Sequence, residues 1–176
     1  ATSSRVNSAF LEVEQYGTLL ITPSATSPSL THLDGIESTF DSPGLLWRTV
    51  PPDDLQGSVL AEYMMDEGIG SVAVIYEDGA YGPALSSVFM EEFNRAGRQT
   101  QGLEYQANSS SSLQAAMDAV RAQEAVLFVS ATKTDTITFL ENVVANKFGE
   151  DKRFFLADGG QDVEIFSAVD GMTEEW

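Results

Sequence analysis

From Asp53 to Val169 the chain alternates helical and strand-like segments. That alternation predicts an α/β fold, a doubly wound and mostly parallel sheet with helices on both faces. Three observations carry the prediction. Ser71–Tyr76, Ala125–Val129 and Phe154–Ala157 are short, almost wholly apolar runs, as expected of strands covered on both sides. The segments between them repeat apolar residues three and four apart. Glycines then stand where a helix must stop before a strand, at Gly68, Gly70 and Gly97.

Taken in order, Val6, Ala9, Phe10 and Val13 mark a helix over Val6–Tyr16, and Gly17 ends it. Leu19–Ile21 reads as a short buried strand, stopped by Pro23 because a prolyl ring offers no ladder donor. Thr31–Pro43 mixes Asp, Gly, Ser and Pro without period and reads as a loop. Leu45–Val50 is a second strand, ended by Pro51 and Pro52. Asp53 and Asp54 cap a helix reaching about Glu67, with Leu55, Val59, Leu60, Tyr63 and Met64 as its apolar side. After Ser71–Tyr76, a helix is marked by Ala84, Leu85, Val88, Phe89, Phe93 and Ala96.

Gln99–Tyr105 is more polar and belongs near a sheet edge. Ser109–Ser112 offers N-caps for a helix bearing Leu113, Ala116, Met117 and Val120. Ala125–Val129 follows, and then Thr132 or Thr134 caps a helix with Ile137, Leu140 and Val144 on one side. Phe154–Ala157 is a third inner strand, Val163–Val169 a short helix, and Met172–Trp176 the start of a strand. Residues 1–47 hold one helix, two strands and a long loop, too little to close a core of their own.

Composition narrows the function. The 176 residues carry 9 basic and 27 acidic side chains, a net charge of −18, with no basic run. Phosphate backbones demand clustered Lys and Arg, so nucleic acid is excluded as a partner. No apolar run approaches the ~18 residues that cross a bilayer as a helix. The absence of cysteine removes thiolate chemistry, disulfides and Cys-based metal sites.

The catalytic inventory is equally thin. The nucleophile elbow, the HExxH pair and the phosphate-binding P-loop are all missing. Gly68 and Gly70 precede a strand, the reverse of a dinucleotide cradle. His32, the single histidine, lies in a polar loop and reads as solvated. Asp53-Asp54 and Glu91-Glu92 are explained by a helix start and an outer helix face. No metal-ligand spacing occurs, and no cofactor, metal or enzymatic activity is expected.

What remains is polar groups after successive strands. They are Ser24-Ala25-Thr26, then Glu77 to Tyr81, then Ser130-Ala131-Thr132, then Asp158-Gly159-Gly160. Singly, each reads as a turn or a cap as readily as a site. Together they fall at the sheet edge where open α/β folds bind ligands. Their chemistry suits a free amino acid. Hydroxyls and amides at Ser24–Thr26, with Ser3, would meet a carboxylate; Asp158 would meet an ammonium; Tyr81 would form a flat wall.

The same stretches resemble a known family. Leu19 to Thr31, Trp47-Arg48-Thr49-Val50-Pro51, Gln56-Gly57, Val72 to Tyr76 with Asp78 to Gly82, and Phe155 to Gly160 follow in order. They are similar to the leucine/isoleucine/valine-binding proteins, the branched-chain amino-acid ABC receptors of the type I periplasmic solute-binding superfamily. The resemblance implies the type I periplasmic-binding fold, with one complete lobe and part of another. Residues 1–49 would be an incomplete first lobe with its hinge crossing, 50–170 the complete second lobe, and 171–176 the start of the return crossing.

It also implies roles. Ser3 would bind the ligand carboxylate, Ser24, Ala25 and Thr26 would match the small-small-Thr turn, and Thr26 would bond both ligand ends. Tyr81 would be the pocket tyrosine, and Asp158 would stand where a glutamate often pairs with the ammonium. Thr132 departs from the tyrosine of the branched-chain receptors, which puts an aliphatic ligand side chain in doubt. The implied function is an extracytoplasmic receptor of an ABC importer, periplasmic or extracellular, with or without a lipid anchor in the full-length protein, delivering to a membrane permease. Alternatives are a ligand-sensing ectodomain or a flavodoxin-like receiver or enzyme; a receiver lacks a lysine directly after a strand end.

Overall fold

The computed structural model describes residues 2–35, 39–145, 148, 151–161 and 164–165. Two parallel sheets organise them. The first pairs β1 (Leu20–Thr22) with β2 (Leu46–Arg48), preceded by α1 (Ser3–Val13) and a 3₁₀ turn over Glu14–Tyr16. Thr2 caps α1 by accepting from the Arg5 amide, and Gly17 ends the turn in the left-handed region at φ 65°. Val6, Ala25 and Leu30 form a small core here, with Leu20, Leu33 and Leu46 against it.

The second sheet has four strands in the order β4-β3-β5-β6, every pair parallel. They are β3 (Ser71–Glu77), β4 (Gln99–Tyr105), β5 (Ala125–Val129) and β6 (Arg153–Leu156), linked through α3 (Gly82–Arg95), α4 (Ser110–Asp118) and α5 (Lys133–Ala145). α2 (Asp53–Asp66) leads into β3.

Alternation along the strands splits the core into two layers. Val72 and Val74 of β3 and Leu127 and Val129 of β5 pack with Met64, Leu85, Phe89 and Phe93 of α2 and α3. Ala73, Ile75, Val126 and Phe128 face the other way, onto Leu113, Met117, Phe139 and Val143 of α4 and α5. Phe128 stacks against Tyr105 at 5.7 Å and Phe139 at 4.3 Å between ring centroids. The expected doubly wound sheet is therefore present, and Gln99–Tyr105 does lie at an edge.

Several expectations need correction. The strand after Gly17 is not buried: Leu19 and Ile21 are exposed and only Thr22 of β1 is fully covered. One face of the two-stranded sheet carries the small core, and the other presents Ile21 and Trp47, each about half exposed. The apolar side of α2 is also different. Leu55, Val59 and Tyr63 are more than half exposed, while Asp53, Gly57, Ala61 and Met64 turn inward. α2 and α3 approach too closely for large side chains: a Cβ on Gly57 would lie 2.9 Å from that of Val88. Gly57 and Ala61 mark the buried face beside the expected Met64, while Leu60 is half-buried against the same core.

On α5 the fully buried face is Asp135, Thr136, Phe139 and Val143, with Ile137, Leu140 and Val144 only half-buried beside it. β6 ends the row of described strands rather than lying inside it, and its residues are half-buried or exposed. The helix expected over Val163–Val169 is described only at Glu164 and Ile165, and the strand expected at Met172–Trp176 lies outside the described residues.

The corrected face of α2 has a measurable signature. Ala61→Leu overpacks the α2–α3 contact and should cost about 1–3 kcal/mol in urea denaturation. Val59→Ser, on the exposed side, should change stability by no more than about 0.5 kcal/mol.

Candidate functional site

Because the chain runs from β3 out to β4 and returns to β5 on the opposite side, the winding reverses between β3 and β5. A crevice opens at the carboxyl ends of strands at such a point. It forms a cavity of about 290 Å³. Thr2, Ser3 and Arg5 enter it from the start of α1, Ser24 and Thr26 from the turn after β1, and Tyr81 from the turn after β3. Ala131, after β5, and Asp158 and Gly159, after β6, complete the wall.

The turn after β1 is fixed from within and from three sides. The Thr22 hydroxyl accepts the Ala25 amide at 3.2 Å, turning the chain as soon as the strand ends. Ser3 Oγ of α1 accepts the Ser27 amide at 3.1 Å. Arg48 of β2 donates to the Thr26 and Ser27 carbonyls at 3.1 and 2.9 Å and also reaches the Thr31 hydroxyl. The Asp53 amide, opening α2, donates to the Thr26 carbonyl at 2.9 Å. Ser24 and Thr26 are thus presented by a rigid frame.

The opposite wall is locked by close backbone approaches. A Cβ on Gly82 would stand 1.9 Å from the Glu77 carbonyl oxygen, and one on Gly159 would stand 1.8 Å from that of Ser130. Only glycine fits either place. Between them the buried Glu77 carboxylate accepts the Ala131 amide at 2.8 Å and the Ser130 hydroxyl at 3.1 Å. Burial pushes the Glu77 carboxyl above its ordinary range, and these two hydrogen bonds oppose the shift. On the α1 side, Ser4 Oγ accepts the Ala80 amide at 3.1 Å, joining the two walls.

Tyr81 donates its hydroxyl proton to Asp158 Oδ1 at 2.5 Å. Burial first, and then the Asp158 charge, push the phenol well above its ordinary value, so it stays a neutral donor. The pair holds a carboxylate at the cavity with further acceptor capacity.

The cavity unites Ser3, Ser24, Thr26, Tyr81 and Asp158. Ala25 and Thr132 are not on its wall. Ala25 is fully buried in the small core. Thr132 Oγ1 accepts the Asp135 amide at the start of α5. Ala131 occupies the wall instead. His32 is exposed, as expected of a solvated loop histidine. Asp78 accepts the Ala107 amide at 2.9 Å and so serves the end of β4. Among the described residues no cluster of three or more His, Cys, Asp or Glu could hold a metal ion.

Asp53 is the residue the sequence disguised. An acid in a helix's first turn looks like a solvated cap, yet this one is completely buried and neither carboxylate oxygen has a hydrogen-bond partner among the described residues. Burial raises its carboxyl to about 6; Thr26's side chain, nearby but outside hydrogen-bond geometry, and Arg48 hold it down, while Asp158 and Asp54 push it up. Arg5 and Thr2 also escaped notice, because nothing in their local sequence marks a cavity wall, whereas Gly159 lies in the expected group after the last strand.

Comparison with known proteins gives one consistent result. The model of the family described as the receptor family ligand binding region matches residues 2–175. A Leu/Ile/Val-binding protein homolog of Brucella melitensis is 36% identical over 86 residues, 48% of this chain and 21% of that protein. The Leu/Ile/Val-binding protein BraC3 of Rhizobium johnstonii is 34% identical over 82 residues, 46% of this chain and 20% of that one. The matched stretches thus span about a fifth of each of these curated relatives. The crystal structure of leucine binding protein LivK from Thermotoga maritima aligns with a TM-score of 0.71 at 19% identity, covering 90% of this chain and 43% of that one. At that identity the likeness is one of fold, the type I periplasmic-binding fold.

The buried Asp53 sets a pH dependence of stability. Its folded carboxyl, near 6 against an ordinary 3.8, binds a proton more tightly than the unfolded chain does. Its contribution therefore weakens the fold as pH rises from about 4 to about 6, and the full penalty applies above that. Asp53→Asn should stabilise the protein at pH 7 by up to ~3 kcal/mol. In urea denaturation across pH, that advantage should vanish below about pH 4.

Proposed function

The chain belongs to the family of receptor ligand-binding regions, and on that premise we propose that it is the solute-capturing part of an extracytoplasmic ABC-importer receptor. Its solute is an amino acid or a similar small polar molecule. The observation that carries this reading is the cavity itself, which sets a hydroxyl-rich turn opposite the Tyr81–Asp158 pair.

A zwitterion matches that polarity. Its carboxylate is met by Ser3, Ser24 and the Thr26 turn, and its ammonium by Asp158, with the buried Asp53 adding negative potential behind. Tyr81 keeps Asp158 oriented and supplies a flat face. Ala25 supports the turn from the small core, and Thr132 fixes the start of α5 beside Ala131. The relatives that bear Leu/Ile/Val-binding names support an amino acid as the solute class.

The mechanism is capture without chemistry. Residues 1–49 belong to one lobe and the first crossing, and the described residues from 50 on belong to the second lobe. Ligand contacts from both lobes favour the closed state, and a ligand can shift that balance only by binding the two states unequally. The closed receptor then delivers to a permease at the membrane from the periplasmic or extracellular side.

Calorimetry on the full-length protein tests the assignment. Asp158→Ala should abolish α-amino-acid binding, and unchanged affinity would sink the ammonium role. A thermal-shift screen of the twenty amino acids should raise the melting temperature for one chemical group of them; saturation at a hundred times the dissociation constant corresponds to ~2.7 kcal/mol of stabilisation.

A further inference from the structure

We infer that the captured solute carries a second anionic group, as an α-amino acid with a carboxylate side chain does, and that Arg5 receives it. The inference rests on the reading that the cavity takes an α-amino acid, and it names which kind.

The first observation is what the wall lacks. Among the described residues no Leu, Ile, Val, Phe or Met lines the cavity; Ala131 is its one aliphatic lining side chain and Tyr81 its one aromatic ring. An aliphatic side chain gains from capture only when its surface leaves water for an apolar wall. A polar side chain has no such requirement, and hydroxyl and backbone groups surround it here.

The second observation is Arg5. It lies on the first turn of α1, is exposed, and lines the cavity. Its guanidinium has no ion-pair or hydrogen-bond partner among the described residues, although the chain carries a net charge of −18. Arg95 pairs with Glu91 and Glu92, and Arg153 pairs with Glu67, so partners are available to cations elsewhere on this surface. Arg5 instead faces the space that a solute would fill, near the positive end of a helix. A guanidinium presents a fork that fits a carboxylate.

Charge matching then completes the assignment. Asp158 meets the ammonium and the turn after β1 meets the α-carboxylate, which leaves Arg5 for a third, negative group. In an open cleft that contact is screened by water; it strengthens as the lobes close and water leaves.

The test compares affinities for L-glutamate, L-aspartate, L-alanine, L-leucine and glutarate, by calorimetry on the full-length protein. Wild type should prefer glutamate or aspartate over alanine and leucine. Arg5→Met should collapse that preference by roughly tenfold to a hundredfold, the worth of one charge-assisted contact, and Arg5→Lys should restore part of it. Tighter binding of leucine or alanine by wild type overturns the inference without any variant. An equal loss for acidic and neutral amino acids in Arg5→Met also overturns it, assigning Arg5 to the α-carboxylate. Glutarate bound with no amino acid bound keeps the second anion and defeats the amino-acid reading. If none of the five binds, both fall.

Discussion

The candidate site depends on how closely three strand ends are drawn together. The Glu77 carbonyl seats Gly82, the Glu77 carboxylate grips Ser130 and Ala131, and the Ser130 carbonyl seats Gly159. No side chain fits at either glycine, so the backbones meet directly. That contact decides where Tyr81, Ala131 and Asp158 stand. The hydrogen bond from Tyr81 to Asp158 joins the turn after β3 to the turn after β6 and is one result of it. On the other wall, Arg48, Ser3 and the Asp53 amide hold the turn after β1 in the same manner, through carbonyls and amides rather than through bulk.

Much of the fold was legible because parallel strands buried on both faces have no polar positions to spare. Val72 to Ile75 and Ala125 to Val129 therefore announce themselves as apolar β-branched runs. Tight helix packing was not legible. Where α2 meets α3 the contact selects Gly57 and Ala61, which hydrophobic periodicity ignores, and it leaves Leu55, Val59 and Tyr63 facing outward. Ser24, Thr26, Tyr81 and Asp158 could be found because each follows a strand. Arg5 and Asp53 could not, since both lie in first turns of helices, where a charge ordinarily means solvent or dipole.

Asp53 also marks where the fold gives up stability. It begins α2 directly after the proline pair that follows β2, its amide serves the Thr26 carbonyl, and its carboxylate is sealed in with no hydrogen-bond partner among the described residues. A buried group of this kind costs free energy unless it is paired or neutralised. Its proximity to Asp158 makes the base of the cavity more negative than its lining residues alone suggest.

The bonds that build the cavity close very long loops. Tyr81 and Asp158 are 77 residues apart in the chain, and Ser4 and Ala80 are 76 apart. By contrast, α2, β3 and α3 follow one another directly and share one core layer. Loop-closure entropy opposes distant contacts until local ones have narrowed the search. The helix and strand layers therefore assemble first, and the cavity is among the last parts of the molecule to form. On the native side the order reverses: the rim can open locally while the β3–β5 centre stays protected from exchange with solvent.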